Sequence, residues 1–191
     1  MKLLKLAFAL TTVTLLFGCS SQYPQAVSET SSSNISQKKV STPLKSAIEE
    51  LRVIKIKIEE QGGINQKEYG ENIDELVNIV KNSYGDSKTL SAVKSAVKGH
   101  QLALQFWQCD RTTGYDEMYE CRDKALKAVF AKYPDIEAQA KAAVAGKQSS
   151  FISAGLDKDA MLQAIWTKTS ADTDTAIQAI NLPSPANKSQ P

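Results

Sequence analysis

From residue 42 onward the apolar positions of this chain fall into helical registers. Leu44, Ile48, Leu51, Ile54 and Ile58 recur at steps of four, three, three and four, which is one helix face. Val53 and Ile56 widen that face and predict contact with two neighbours. Thr42-Pro43 supplies a capping hydroxyl with proline at the first helical position, and Gly62-Gly63 stops the segment. A second helix is predicted over residues 66–83, with Ile73, Leu76, Val77, Val80 and Tyr84 as its stripe and Gly85 as its stop. Asp86 or Ser87 caps a third, on which Leu90, Val93, Val97, His100, Leu104 and Trp107 step by three and four as far as Cys109. A polar loop from Asp110 to Gly114 leads to a fourth helix over residues 115–132, striped by Met118, Arg122, Leu126, Val129 and Tyr133, with Tyr119 and Phe130 beside them. Pro134 restarts the chain, with Asp135 and Glu137 placed for the amino-terminal dipole, and an alanine-rich helix runs to Gly146. Gly155-Leu156-Asp157 opens another helix carrying Met161, Leu162, Ile165 and Trp166, and a last short one is predicted over residues 172–180. No β-branched alternation lasts long enough for a strand, and no 34-residue self-similarity points to helical repeats. The prediction is an all-α chain, a single bundle of about five to seven helices.

The ends follow other patterns. Eight of the 22 residues from Ser20 to Ser41 are serine, a composition that buries too little apolar surface to order itself. Such a coil spans about 25 Å on average. The segment 181–191 carries three prolines and reads as a disordered tail. At the other end Lys2 and Lys5 precede an apolar run from Leu6 to Phe17, interrupted only by Thr11, Thr12 and Thr14 and followed by Gly18-Cys19. A basic start, a short apolar segment and a small-residue cleavage site make a secretory signal. The run falls well short of the roughly 20 residues a spanning helix needs. Through Leu16, Gly18 and Cys19 the segment resembles the signal of a bacterial lipoprotein. That resemblance implies cleavage before Cys19 and acylation of Cys19 by chains such as palmitate. An ordinary signal cut elsewhere and an uncleaved anchor are the alternatives. Ser20 stands where an aspartate would favour retention in the inner membrane, so the resemblance implies the outer membrane. The domain would then face the periplasm, with surface display as the other orientation. The organisation predicted is a signal peptide over 1–18, a lipidated linker over 19–41, a helical domain over 42–180 and a tail over 181–191.

Removing the signal changes the charge. The full chain carries 23 Lys and Arg against 21 Asp and Glu, a formal net charge of +2. Lys2 and Lys5 leave with the signal, so the mature chain is formally neutral. Neutrality gives no electrostatic case for nucleic acid, which needs clustered Lys and Arg.

With Cys19 assigned to lipid, Cys109 and Cys121 remain as an even pair in an exported protein. In an oxidising compartment a disulfide is the default, and closing such a loop contributes about 2–4 kcal/mol. The bridge would pin the third and fourth helices beside their connecting loop. A metal site or a reactive thiol pair is the alternative, but the spacing is not C-x-x-C and no histidine follows Cys109.

His100, the single histidine, sits on an apolar face. As a general base or proton switch it would need a nucleophile or an orienting carboxylate at helix spacing, and none stands there. The expectation is a half-buried ring with one hydrogen bond. Glu49-Glu50 and Glu59-Glu60 point about 100° apart on a solvated helix rather than into one cleft, so they do not form a glycosidase pair. Trp107 and Trp166 lie on apolar stripes and read as core, with an interhelical ligand pocket as the lesser option. The acids between the cysteines, Asp110, Asp116, Glu117 and Glu120, lack the spacing of a calcium loop. No phosphate loop, G-x-S-x-G, H-E-x-x-H or S-x-x-K signature stands out, and neither a metal nor a cofactor is implied. Arg111, Tyr115 and Tyr119, by contrast, combine the residue types that anchor interfaces with a covalent constraint, and they are the candidate partner-binding residues.

These readings point to a non-enzymatic helical lipoprotein that binds or scaffolds another envelope protein. In plan (lipid signal, linker, helical bundle, one bridge) the chain resembles pilotins, small lipoproteins that escort secretin subunits to the outer membrane. A lipoprotein conferring immunity to an incoming toxin fits the same plan. A carrier of a small apolar ligand and an envelope enzyme built around His100 are the further alternatives.

Overall fold

The computed structural model describes residues 40–59 and 63–181. The signal, Cys19, most of the linker, Glu60, Gly62 of the expected Gly62-Gly63 stop, and the tail lie outside the described residues. Within them the chain forms six α-helices and no strand: α1 (Thr42–Glu59), α2 (Gln66–Lys81), α3 (Ser87–Gln108), α4 (Tyr115–Lys132), α5 (Pro134–Val144) and α6 (Lys158–Asn181). The all-α bundle expected from the pattern is what forms. None of these helices is long and apolar enough to cross a membrane.

The caps explain the boundaries. Ser41, not Thr42, caps α1: its Oγ accepts from Leu44 N at 3.2 Å and from Tyr84 N at 3.1 Å. Its own N–H donates to Tyr84 O at 3.1 Å. Ser41 is 4% exposed, so the folded region begins inside the stretch expected to be linker. Asn65 caps α2 by accepting from Glu68 N, and Asp86 caps α3 by accepting from Thr89 N, both at 2.9 Å. The bonds from Thr89 hold the Asp86 carboxyl below its ordinary range. Asp157 caps α6 through Ala160 N at 2.7 Å.

The last helix departs from expectation. The pattern predicts one helix as far as Trp166 and a separate short one over residues 172–180, yet α6 runs through unbroken. Thr167, Thr169 and Thr175 turn their hydroxyls back onto the carbonyls of Gln163, Ile165 and Ala171 at 2.9–3.0 Å. Back-bonded hydroxyls satisfy themselves within the helix, so a polar run need not leave it.

α3 packs antiparallel on α6, the start of one against the end of the other. Thr89 Oγ1 donates to Ala179 O at 3.2 Å, and Ser95 lies against Asp172. α1 and α2 close the core from the other side with Leu44, Ile48, Leu51, Ile54, Tyr69, Ile73 and Leu76, all at most 1% exposed. Three positions of the expected apolar faces are outside it. Val53 and Ile56 remain 42% and 37% exposed, and Tyr84, held at a turn by its backbone, is 68% exposed.

Candidate functional site

The expected bridge forms. Cys109 and Cys121 are joined, with Cα atoms 5.6 Å apart. Cys109 opens a short 3-10 turn after α3, and Cys121 lies in the second turn of α4, so the bond fastens the two helices beside their loop. Gly114 makes the entry to α4 at φ 102°, a left-handed conformation that favours glycine. Asp116 and Glu117 follow in the first turn, where they complement the dipole.

Around this bridge the three expected recognition residues separate. Tyr115 and Tyr119 meet edge to face with ring centroids 4.7 Å apart, and Tyr115 is 69% exposed. Phe151, from the loop before α6, stacks on Tyr119 at 5.9 Å. Arg111 is exposed but turns the other way. Its Nε donates to Gln66 Oε1 at 2.6 Å, and Gln66 in turn donates to Trp107 O at 2.6 Å. The arginine over the Tyr119 ring is Arg122, at 5.6 Å from the centroid. Arg122 also donates to Asp110 at 2.6 Å, and Lys158 reaches the other oxygen of Asp110 at 3.1 Å. Hydrogen bonds to Asp159 and Asp110 raise the Lys158 ammonium above its ordinary pKa.

The loop is fastened as well. Asp123 accepts from the amides of Ile152 and Ser153 at 3.0 and 2.8 Å, and Ser153 Oγ donates to Tyr119 O at 3.3 Å. Arg122 and Asp123 were not among the sequence candidates. A signal for Arg122 existed, since it stands on the stripe between Met118 and Leu126, and a cation on a core face needs a partner. Asp110 spends its oxygens on Arg122 and Lys158. No group of three or more His, Cys, Asp or Glu gathers in a metal-binding arrangement among the described residues.

A second polar cluster lies between α3, α4 and α6. Lys132 Nζ is 2.7 Å from Ser95 Oγ and 2.8 Å from Asp172 Oδ2. The Tyr133 hydroxyl donates to the same Asp172 oxygen at 2.8 Å. Burial first, and then the bond to Asp172, raise the Tyr133 phenol above its usual pKa, while Thr169 opposes the rise. A serine beside a lysine amine suggests nucleophile activation. Here the amine is bonded to Asp172 as well as to Ser95. The cluster works as a clasp between helices.

His100 is 1% exposed, more deeply buried than the half-buried ring expected. Its Nδ1 meets the Tyr69 hydroxyl at 2.8 Å, and Nε2 has no protein partner. Burial pushes its pKa down to about 3, against a small opposing pull from Asp172. The ring is therefore neutral and sealed from solvent. Tyr69 is also central to the aromatic packing. Trp107 and Trp166 meet edge to face at 5.3 Å, and each lies within 5.9 Å of its ring. Trp166 also lines an open groove of about 210 Å³ with Lys55 and Asp174, which are ion-paired at 2.7 Å. Partial burial first, and then the Glu75 carboxylate on α2, raise the Glu50 carboxyl above its ordinary pKa.

No protein-family model matches this chain, and no curated protein or solved structure matches it either.

Two further open grooves lie among the described residues. One, of about 310 Å³, lies between α4 and α5, where Leu126, Phe130 and Ile152 make an apolar floor. The other, of about 400 Å³, lies between α2 and α3. Both are open to solvent rather than enclosed chambers, so neither adds support to the carrier reading.

Proposed function

We propose that this protein is a non-enzymatic, lipid-anchored helical module of the bacterial outer membrane that binds another envelope protein at its disulfide-braced corner. One observation carries the reading: Tyr115 is 69% exposed, yet stands on a corner fixed in place. Its ring rests on Tyr119, which is stacked by Phe151 and covered by Arg122. The helix beneath is tied to α3 by the Cys109–Cys121 bond and by the Asp110 ion pairs. Pre-ordered aromatics lose little conformational entropy on binding, and tyrosine and arginine are frequent interface anchors. A lipid on Cys19 would add its own effect. Confining the module to one surface raises its effective concentration toward a membrane-bound partner.

The test is a photo-crosslinking residue replacing Tyr115 in the full chain, in the native envelope, with the same probe at exposed Glu71 on α2 as reference. The expected result is an adduct with one envelope protein from position 115 and none from position 71. Cys19→Ser should release the chain from the membrane and abolish the adduct. A secretin in the adduct supports the pilotin-like form of this reading, and a toxin domain supports the immunity form. Equal labelling from both positions, or none from position 115, overturns the corner as the binding surface.

A further inference from the structure

The groove between α2 and α3 has an unusual lining. Val77, Val80 and Val97 form its floor, with Val80 and Val97 only 8% and 6% exposed. Lys81, Lys94 and Lys98 form its rim, joined by Ser83 and Gln101, and no acid lines it. None of the three lysines makes an ion pair with a described carboxylate, although many surface lysines of this chain do, among them Lys55, Lys57, Lys141 and Lys168. The cause lies in the sequence. α3 carries Lys88, Lys94 and Lys98 and not one Asp or Glu in its 22 residues. Asp74, three residues before Val77, is exposed and stands outside the lining.

We propose that this groove docks an acidic amphipathic helix of the partner protein. The inference rests on the reading of the chain as a binding module and adds the chemistry of what is bound. Shape and charge choose the occupant together. A helix laid between two helices can lower leucine-sized side chains onto recessed valines, while acids on its flanks meet the lysine rim. A bilayer surface is flat, and the valines lie below the lysines, so an anionic membrane would meet the rim and miss the floor. The chain's own outlying segments lack the charge. Residues 20–39 hold one acid, Glu29, against Lys38 and Lys39, and residues 182–191 hold Lys188 and no acid.

The probe is a fluorescein-labelled synthetic peptide with leucines at i, i+3, i+4 and i+7 and glutamates on the flanks. Its control keeps the leucines and carries lysines instead. The full chain in detergent should bind the glutamate peptide and not the lysine peptide. The double variant Lys94→Glu/Lys98→Glu should weaken the first interaction about tenfold and gain the second. Both side chains are exposed and unpaired, so circular dichroism and the melting temperature should not move. Equal binding of the two peptides, or of neither, overturns the proposal. So does lysine-dependent binding to phosphatidylglycerol vesicles without peptide binding, which would assign the face to a membrane. A dimer in sedimentation that dissolves in the double variant also overturns it, by placing a second copy in the groove. Peptide binding in the groove without any adduct from position 115 would sink the corner and leave the groove standing. The opposite pair of results would sink the groove alone.

Discussion

At Gly99 α3 lies directly against Thr169 of α6, and the structure predicts what a single methyl there would do. A Cβ at this position would lie 2.8 Å from Thr169 Oγ1 and 3.1 Å from its Cγ2, and would press on the Tyr133 hydroxyl. Neither neighbour is loose. Thr169 Oγ1 donates to Ile165 O at 2.9 Å, and the Tyr133 hydroxyl is bonded to Asp172 at 2.8 Å. Overpacking of this kind costs about 1–3 kcal/mol. Turning the phenol away from a carboxylate costs about 1.5–3 kcal/mol more. Alanine is favoured over glycine in a helix by about 1 kcal/mol, which offsets part of the loss. The net expectation for Gly99→Ala is a destabilisation of about 1.5–5 kcal/mol, or roughly 1–2.5 M in urea midpoint. Gly70 on α2 supplies the matched reference, because its Cβ would meet only the Leu104 side chain, Cδ1 at 3.6 Å and Cδ2 at 4.0 Å, both ordinary contacts. Gly70→Ala should therefore keep the propensity gain and stabilise slightly. Urea unfolding followed by tryptophan fluorescence reads both. Adding Tyr133→Phe removes one of the two obstacles, so Gly99→Ala should cost about half as much in that background. Equal midpoints for the two alanine variants would refute the close approach, and an undiminished cost in the Tyr133→Phe background would refute the role of the hydroxyl.

Other expectations concern the bridge, the buried ring and the clasp. Cys109→Ser/Cys121→Ser should lower stability by about 3 kcal/mol, the loop entropy for a separation of 12 residues, with the far-UV dichroism spectrum unchanged. Two reactive thiols in the oxidised, folded wild type would contradict the bridge. His100 is neutral when folded and titrates near 3, whereas the unfolded chain takes up its proton below 6.5. Unfolding therefore gains stability from protonation as pH falls, and the folded state should lose about 1.4 kcal/mol per unit below pH 6. Most of that slope between pH 6 and 5 should vanish in His100→Gln, since carboxylates titrate lower. Asp172→Asn takes the carboxylate from Lys132, which is 18% exposed, and should cost about 1–2 kcal/mol by urea titration. Glu49→Gln, on the exposed pair with Arg52, should cost less than about 0.5 kcal/mol in the same assay.

The stripes of α1 and α2 were legible because Leu44, Ile48, Leu51 and Ile73 have one thing to do, which is to leave water. The pair Cys109 and Cys121 was legible because a bridge needs only two cysteines and a neighbouring pair of helices. α6 was misread as two pieces because the hydroxyls of Thr167, Thr169 and Thr175 count as polar in a sequence but are satisfied by their own helix. Val53, Ile56 and Tyr84 were misread for the opposite reason: apolar residues at helical spacing predict a face, but not whether another helix arrives to cover it. At the candidate corner, Tyr115 and Tyr119 were found because they are four residues apart on one helix. Arg122 and Arg111 exchanged roles, because the choice depends on Asp110 and Gln66, which only the fold brings near.

The polar groups of this bundle divide by the direction they face, and that division makes the proposals separable. Ser95, Lys132, Tyr133 and Asp172 bond to one another between helices. Changing one of them should move stability, and binding only through loss of the fold. Lys94 and Lys98 sit on the same helix as Ser95, spaced so that they emerge on the groove side, and they bond to no described carboxylate. A side chain that contributes nothing inward can be reversed in charge at little cost in stability. α3 thus carries two independent chemistries on one backbone: a clasp whose loss is read in urea, and a lysine rim whose reversal is read only by a ligand. If Lys94→Glu/Lys98→Glu lowered the unfolding midpoint as much as Asp172→Asn, the two faces would be one network, and the groove could not be assigned to a partner at all.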